Sequence, residues 1–347
     1  MWQIENRSPF AADRGWVRDR DGTEIWLVAV KCTFDIRPDG STPIANEQPP
    51  VLRAPEYNGE PGKSSIRVEG DLVLTKTTTD IIVAGHAYAP DGRAVTALTA
   101  GFRVGPVRKE LRIVGDRDWL GDSRTAPQPF VKMPLVYERA FGGADRRSPH
   151  PDRDVDWRNP VGTGFAISRE NLNGVALPNI EYLEDRFSSW RDRPRPAGFG
   201  PISSHWPARA RFAGTYDDQW TKERQPLVPA DFDDRFYQCA PEDQQAPAFL
   251  QGGEPVLLTH LTPSGDRTFR LPRVFLGFDT RFRDGSREIH RERRLHTVIV
   301  ESDYPRVSLV WHSALPCHFK VQKLERTIVT LKTELRERSD RGERDRD

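Results

Sequence analysis

Residues 24–36 alternate on a two-residue period, with Ile25 and Leu27 on one side of the chain, Trp26, Val28 and Val30 on the other, and Phe34 and Ile36 extending the run. Successive side chains of a strand point to opposite faces, so this period predicts a strand whose faces meet different environments. Runs rich in β-branched residues predict further strands at 65–74, 80–89, 94–104 and 107–114. Turn residues punctuate them at Pro90-Asp91-Gly92 and Gly105-Pro106. Asp91-Gly92 suits a tight hairpin because glycine accepts positive φ. Short connections between consecutive strands favour antiparallel pairing over βαβ units.

The pattern changes at about residue 116. From there to 253 the chain is dense in Pro, Gly, Asp, Arg and aromatic residues, with little sustained periodicity. Proline is excluded from helix interiors and central strands, so regular elements here should be short. Ten aromatic residues lie between Phe187 and Tyr237. A disordered tether does not carry so much apolar surface, and the expectation is long, ordered loops packed on the sheets by their aromatic side chains. Strand patterns return at 255–261, 267–271, 274–278, 295–301 and 307–312, with turns at Gly265-Asp266 and Asp284-Gly285. Residues 319–338 support two readings: Val321, Leu324, Ile328, Leu331 and Leu335 follow helical spacing, whereas Thr327-Ile328-Val329-Thr330 favours a strand. The reading is a mainly β chain of antiparallel, sandwich-like sheets with a long irregular middle and little helix. It forms a single domain over 1–338, strand-rich at 1–115 and 254–338 and loop-rich at 116–253, and 339–347 is a charged, flexible tail.

Composition narrows the partners. The chain has 52 basic and 51 acidic residues among 347, for a net charge of +1. This balance creates no general field for nucleic acid or an anionic membrane. Two arginine-rich stretches, 186–195 and 281–294, also carry acids and read as solvated mixed-charge faces. Cys32, Cys239 and Cys317 are sparse, odd in number and far apart, which suits a reducing compartment. The start lacks a basic segment followed by an apolar one, and apolar runs such as 25–30 are too short to span a bilayer. The expected location is the cytoplasm.

Enzyme signatures are weak. Gly59-Glu60-Pro61-Gly62-Lys63-Ser64 ends like a phosphate-binding loop, but Tyr57 occupies the first glycine position and Pro61 has no N–H. Gly162-Thr163-Gly164 lacks the later glycine of a dinucleotide fingerprint. Neither a Gly-x-Ser-x-Gly elbow nor a His-Glu-x-x-His pair occurs. His312, Cys317 and His318 form the closest histidine group, and their spacing matches no standard zinc pattern. No metal, cofactor or catalytic residue is assigned. Asp217, Asp218, Asp231, Asp233 and Asp234 lie beside aromatics, an arrangement compatible with a hydrolase acting on sugars and retained as an alternative.

The informative stretch is an ordered succession of blocks. It runs through Tyr137-Glu138-Arg139-Ala140-Phe141-Gly142-Gly143, Asp156-Trp157-Arg158-Asn159-Pro160-Val161-Gly162-Thr163-Gly164-Phe165, and Leu177-Pro178-Asn179-Ile180-Glu181. Ala197-Gly198-Phe199-Gly200-Pro201-Ile202, Trp206 with Arg209, Gly214-Thr215-Tyr216-Asp217 with Trp220, Asp231-Phe232-Asp233 with Arg235-Phe236, Ala240-Pro241-Glu242-Asp243-Gln244 and Gly252-Gly253-Glu254 complete it. Physically these are backbone-shaping residues interleaved with aromatics and charges, as ordered loops require. Their order resembles a bacterial family of unknown function associated with type VI secretion, whose members act as adaptors or chaperones for effectors carrying a PAAR spike-tip domain. The resemblance implies a non-enzymatic cytoplasmic adaptor that binds such an effector and helps seat it on the VgrG spike, without nucleic acid or membrane partners. It carries no residue-level site. From residue type alone, Trp157, Phe165, Trp190, Phe199, Trp206 and Trp220 are candidates for a recognition patch, with Arg158 and Arg209 as polar anchors. A free sheet edge accepting an extended partner segment is a second mode of binding. A structural component of a secretion or phage-like assembly is a further alternative.

Overall fold

A computed structural model describes residues 2–121 and 123–332. The chain is mainly β, with several antiparallel sheets and two short helices among the described residues, Pro207–Ala210 and Asp218–Glu223. Residues 333–338 of the ambiguous segment and the tail at 339–347 lie outside the described residues.

A central five-stranded sheet runs in the order Ala11–Arg18, Glu24–Asp35, Arg306–Pro316, Arg294–Glu301 and Asp80–Ala84. Its pairs are antiparallel except the last, where Asp80–Ala84 runs parallel to Arg294–Glu301. A second five-stranded sheet, antiparallel throughout, orders Ile180–Tyr182, Val107–Val114, Ala97–Val104, Pro255–Thr259 and Arg267–Arg270. A four-stranded sheet joins Gln3–Arg7, Leu324–Leu331, Leu276–Phe282 and Arg287–Ile289. The first and last thirds of the chain therefore share all three sheets. All three sheets contribute to one large apolar core.

Several elements depart from the sequence pattern for identifiable reasons. The 24–35 strand buries both faces, because it lies between two neighbours and loops cover its second side. The 80–89 run breaks at Gly85, where φ is +137° and a Cβ would lie 2.2 Å from the Ser302 hydroxyl. Asp80–Ala84 stays in the central sheet, while His86–Tyr88 turns away to pair with Lys132–Pro134. Asp91-Gly92 forms a single helical turn; the tight hairpin is at Gly105-Pro106, which joins Val104 to its cross-strand partner Val107. Only Ile66–Val68 of the expected 65–74 strand is extended. The described part of 319–338 is a short turn followed by strand Leu324–Leu331, flanked by a strand on each side. There β-branched Thr327 and Ile328 are buried, while Leu331, needed for a helical stripe, is exposed. The edge strands Gln3–Arg7 and Ala11–Arg18 were not visible in the pattern, being too polar to alternate.

The two faces of the central sheet differ sharply. Val30, Cys32, Phe34, Val307, Leu309, Val298, Val300, Ile81 and Val83 point into the large core. The other face carries Lys31, Thr33, Ser308, His312, Thr297 and Asp80, all buried. Irregular segments cover this second face and are bound to it by charge. Lys31 pairs with Asp71 at 3.1 Å, and Asp71 also accepts the Leu52 amide. Lys76 pairs with Asp80 at 2.5 Å, and Asp80 accepts the Gln238 side chain and the Cys239 amide. Burial pulls the Lys76 ammonium down, but Asp80 and Cys239 together hold the group above its ordinary value. No helix among the described residues is long and apolar enough to cross a membrane.

Candidate functional site

The irregular middle is built on a knot of glycine and asparagine. Buried Asn159 donates from its side chain to the carbonyls of Tyr137 and Phe141, and its own carbonyl accepts the amides of Gly143 and Gly162. Gly143 has φ +86°, and a Cβ there would sit 2.2 Å from the Gly162 oxygen. This close approach explains why glycines recur in the 137–143 and 156–165 blocks. A satellite core of Trp119, Phe141, Leu172, Leu177 and Phe187 packs beside the knot. The long middle is thus ordered by its own side chains.

Next to the knot lies a cleft of about 730 Å³. Its apolar lining includes Tyr137 and Trp206, whose rings meet edge to face at 5.3 Å, together with Ile202, Phe212 and Pro241. Gly198 makes the Tyr137 position possible, since a Cβ there would lie 2.7 Å from the ring. Five arginines and two acids complete the lining. Arg209 is buried and structural: it pairs with Glu69 and donates to the carbonyls of Ile202 and Phe236, clamping the cleft walls together. Arg211 and Arg235 stack over Phe212, 4.6 and 4.4 Å from its centroid, and Arg195 covers Tyr182 at 4.3 Å. Asp243 accepts from the Tyr182 hydroxyl at 3.0 Å and from buried Lys109 at 2.9 Å. Burial pulls the Lys109 ammonium down to about 8, against the attraction of Asp243.

The eight residues singled out from sequence fall at four places. Arg158, Trp206 and Arg209 line the cleft. Trp157 is 58% exposed and adjoins Arg158, while Phe165 and Trp190 lie half-buried on the satellite core. Arg193 links this second group: it donates to the Trp190 and Ala166 carbonyls, covers the Phe165 ring at 4.8 Å, and its own carbonyl accepts from Arg158. Phe199, a candidate for the recognition patch, is fully buried in the large core, and Trp206 is buried against Tyr137 and Ala140. Trp220 stands apart on the short helix Asp218–Glu223, against Tyr216 and the Leu227 carbonyl. Lys109 went unnoticed in the sequence, yet it shares the phase of Val107, Leu111 and Ile113, a charged residue on an apolar stripe.

Three of the five carboxylates considered for hydrolysis serve local structure. Asp217 accepts the Trp220 amide at 2.8 Å, Asp231 accepts the Thr215 amide and hydroxyl, and Asp233 accepts the Arg235 amide and pairs with its guanidinium. Hydrogen bonds from these partners hold Asp231 and Asp233 below the usual carboxylate range. His312 stacks on His296 at 4.1 Å. Among the described residues no three His, Cys, Asp or Glu are grouped to hold a metal ion.

The family model for DUF2169, described as an uncharacterized protein conserved in bacteria, matches residues 21–312. The chain belongs to this family. The match to DUF2169 takes in most of the central sheet, the glycine–asparagine knot and the cleft, and leaves out the strands Gln3–Arg7, Ala11–Arg18 and Leu324–Leu331. No curated protein and no solved structure matches this DUF2169 chain.

Proposed function

We propose that this chain is a cytoplasmic adaptor that binds a PAAR-containing effector through the arginine-rimmed cleft and promotes its loading onto the VgrG spike. The single observation behind the binding surface is the combination of an apolar floor with three guanidiniums, Arg195, Arg211 and Arg235, held over aromatic rings at its rim. Arginine and aromatic residues combine contact area with directed hydrogen bonds and dominate the centres of protein interfaces. The rim arginines pair with acids of this chain (Arg195 with Glu184, Arg211 with Glu242, Arg235 with Asp233), and carboxylates flanking the apolar anchors of an effector segment would exchange with these acids. The secretion-specific part rests on the ordered sequence blocks and their resemblance to effector adaptors. The test is co-expression with a PAAR-bearing protein, expected among the coding sequences neighbouring this one. The tagged chain should retain it, and Arg211→Glu with Arg235→Glu should lose it at unchanged melting temperature. Failure of the unaltered chain to retain that protein, or equal retention by the double variant, overturns the proposal.

A further inference from the structure

A second cavity, of about 580 Å³, opens between the 19–25 turn, the 230–234 loop and the ends of two central strands. That size is in the range of sites for small organic ligands. Two features set it apart. His296 and His312, both more than nine-tenths buried, line it as a stacked pair; the Asp71 backbone lies against one His312 nitrogen, and Nδ1 of His296 and the other nitrogen of His312 have no hydrogen-bond partner. Burial drives both imidazoles towards the neutral form, which leaves each ring one bare accepting nitrogen. Unmatched buried polar atoms are rare and call for a partner. The second feature is charge: six acids line the cavity, including Asp19, Asp231, Asp234 and Glu292, against Arg20 and Arg294. Partial burial pushes the Asp234 carboxyl up, and like charge from Asp233 and Asp19 adds to this against the pull of Arg20. Lys76, whose charge also acts on both rings, is itself neutralised by Asp80. Ile25, Leu74 and Phe232 supply apolar wall.

We propose that this cavity binds an alkylammonium cation, whose N–H groups donate to the bare imidazole nitrogens and whose carbon stem lies along the apolar wall. An acidic mouth concentrates cations, and neutral imidazoles accept from an ammonium without repelling it. The same chemistry is offered by a free polyamine and by a lysine side chain of a polypeptide. It is tested by calorimetric titration of the full chain near neutral pH with spermidine, with Nα-acetyl-lysine methylamide, and with butanol as the uncharged control. Saturable binding of either amine, with no heat from butanol, is expected, and the amine that binds identifies the source. His312→Phe, which keeps the ring size and removes both nitrogens, should weaken binding about tenfold or more. Asp234→Asn with Glu292→Gln, both at exposed positions, should weaken it roughly fivefold. The proposal is overturned if neither amine saturates, if butanol binds as well, or if folded His312→Phe binds as the unaltered chain does. Should His312→Phe fail to fold, unchanged affinity of the exposed double variant overturns it.

Discussion

The two faces of the central sheet solve burial by opposite means. The apolar face presents Val30, Cys32, Leu309, Val300 and Ile81 to the common core, where area removed from water stabilises each contact without directional demands. The opposite face meets loops that leave some amides without a backbone partner. There, Asp80 takes the Cys239 amide and Asp71 takes the Leu52 amide, while at the free edge of the Asp80–Ala84 strand Gln244 donates to the carbonyls of Ile81 and Phe199. The lesson is that a long irregular segment becomes a firm surface when buried side chains act as its backbone partners. The cleft stands on that surface.

Acid should break the comparison most strongly. Burial lowers His290 to about 4 and His312 to about 3, and pulls His296 down as well. Each imidazole binds a proton in the unfolded chain from about pH 6.5 downwards but not in the folded one. Their stabilisation is therefore complete above pH 6.5 and is lost as pH falls towards the folded values, by on the order of 1 kcal/mol per pH unit per histidine. Urea titrations at pH 7, 6 and 5 should show a falling midpoint; a midpoint that rises or stays flat contradicts neutral burial of these rings.

Asp80→Ala should follow, costing about 3–5 kcal/mol by leaving Lys76 as an unpaired buried charge. Joint replacement of Lys76 and Asp80 by Met and Leu should recover much of that loss, as judged from denaturant midpoints. On the apolar face, Leu309→Ala should cost about 3 kcal/mol by opening a cavity, with the pH dependence left as it was. A Leu309 variant with an altered proton slope would mean that the two faces are coupled. The smallest effect belongs to Trp157→Ala, whose ring is exposed; its melting midpoint should stay within about 0.5 kcal/mol of the parent's in stability. A larger loss would place that ring in contacts beyond the satellite core.

Much of the strand content was legible because period-two alternation and turn residues are local signals: 107–114 was placed to the residue, and the described part of 324–331 followed its β-branched run. The irregular middle was legible as ordered but not in shape. Its aromatics divide between interior and surface, as with buried Trp206 and exposed Trp157, according to which strands happen to lie beneath them. The same holds for charge. Lys109 stood in an apolar phase in plain view, whereas nothing near Lys76 in the chain announces Cys239 or Thr297 as its neighbours.

Local chemistry alone thus decided that this chain is β-rich, where its best strands and turns fall, and that its proline- and glycine-dense centre carries too much aromatic surface to stay unfolded. Sheet order, the parallel pairings of the first and last strands, the burial of four charges under loops and the convergence of distant arginines on one cleft belong to the folded state alone. The reason is range. Periodicity and turn preference act over a few residues, while pairing and burial join positions hundreds apart, such as Asn6 with Val329 and Lys76 with Thr297.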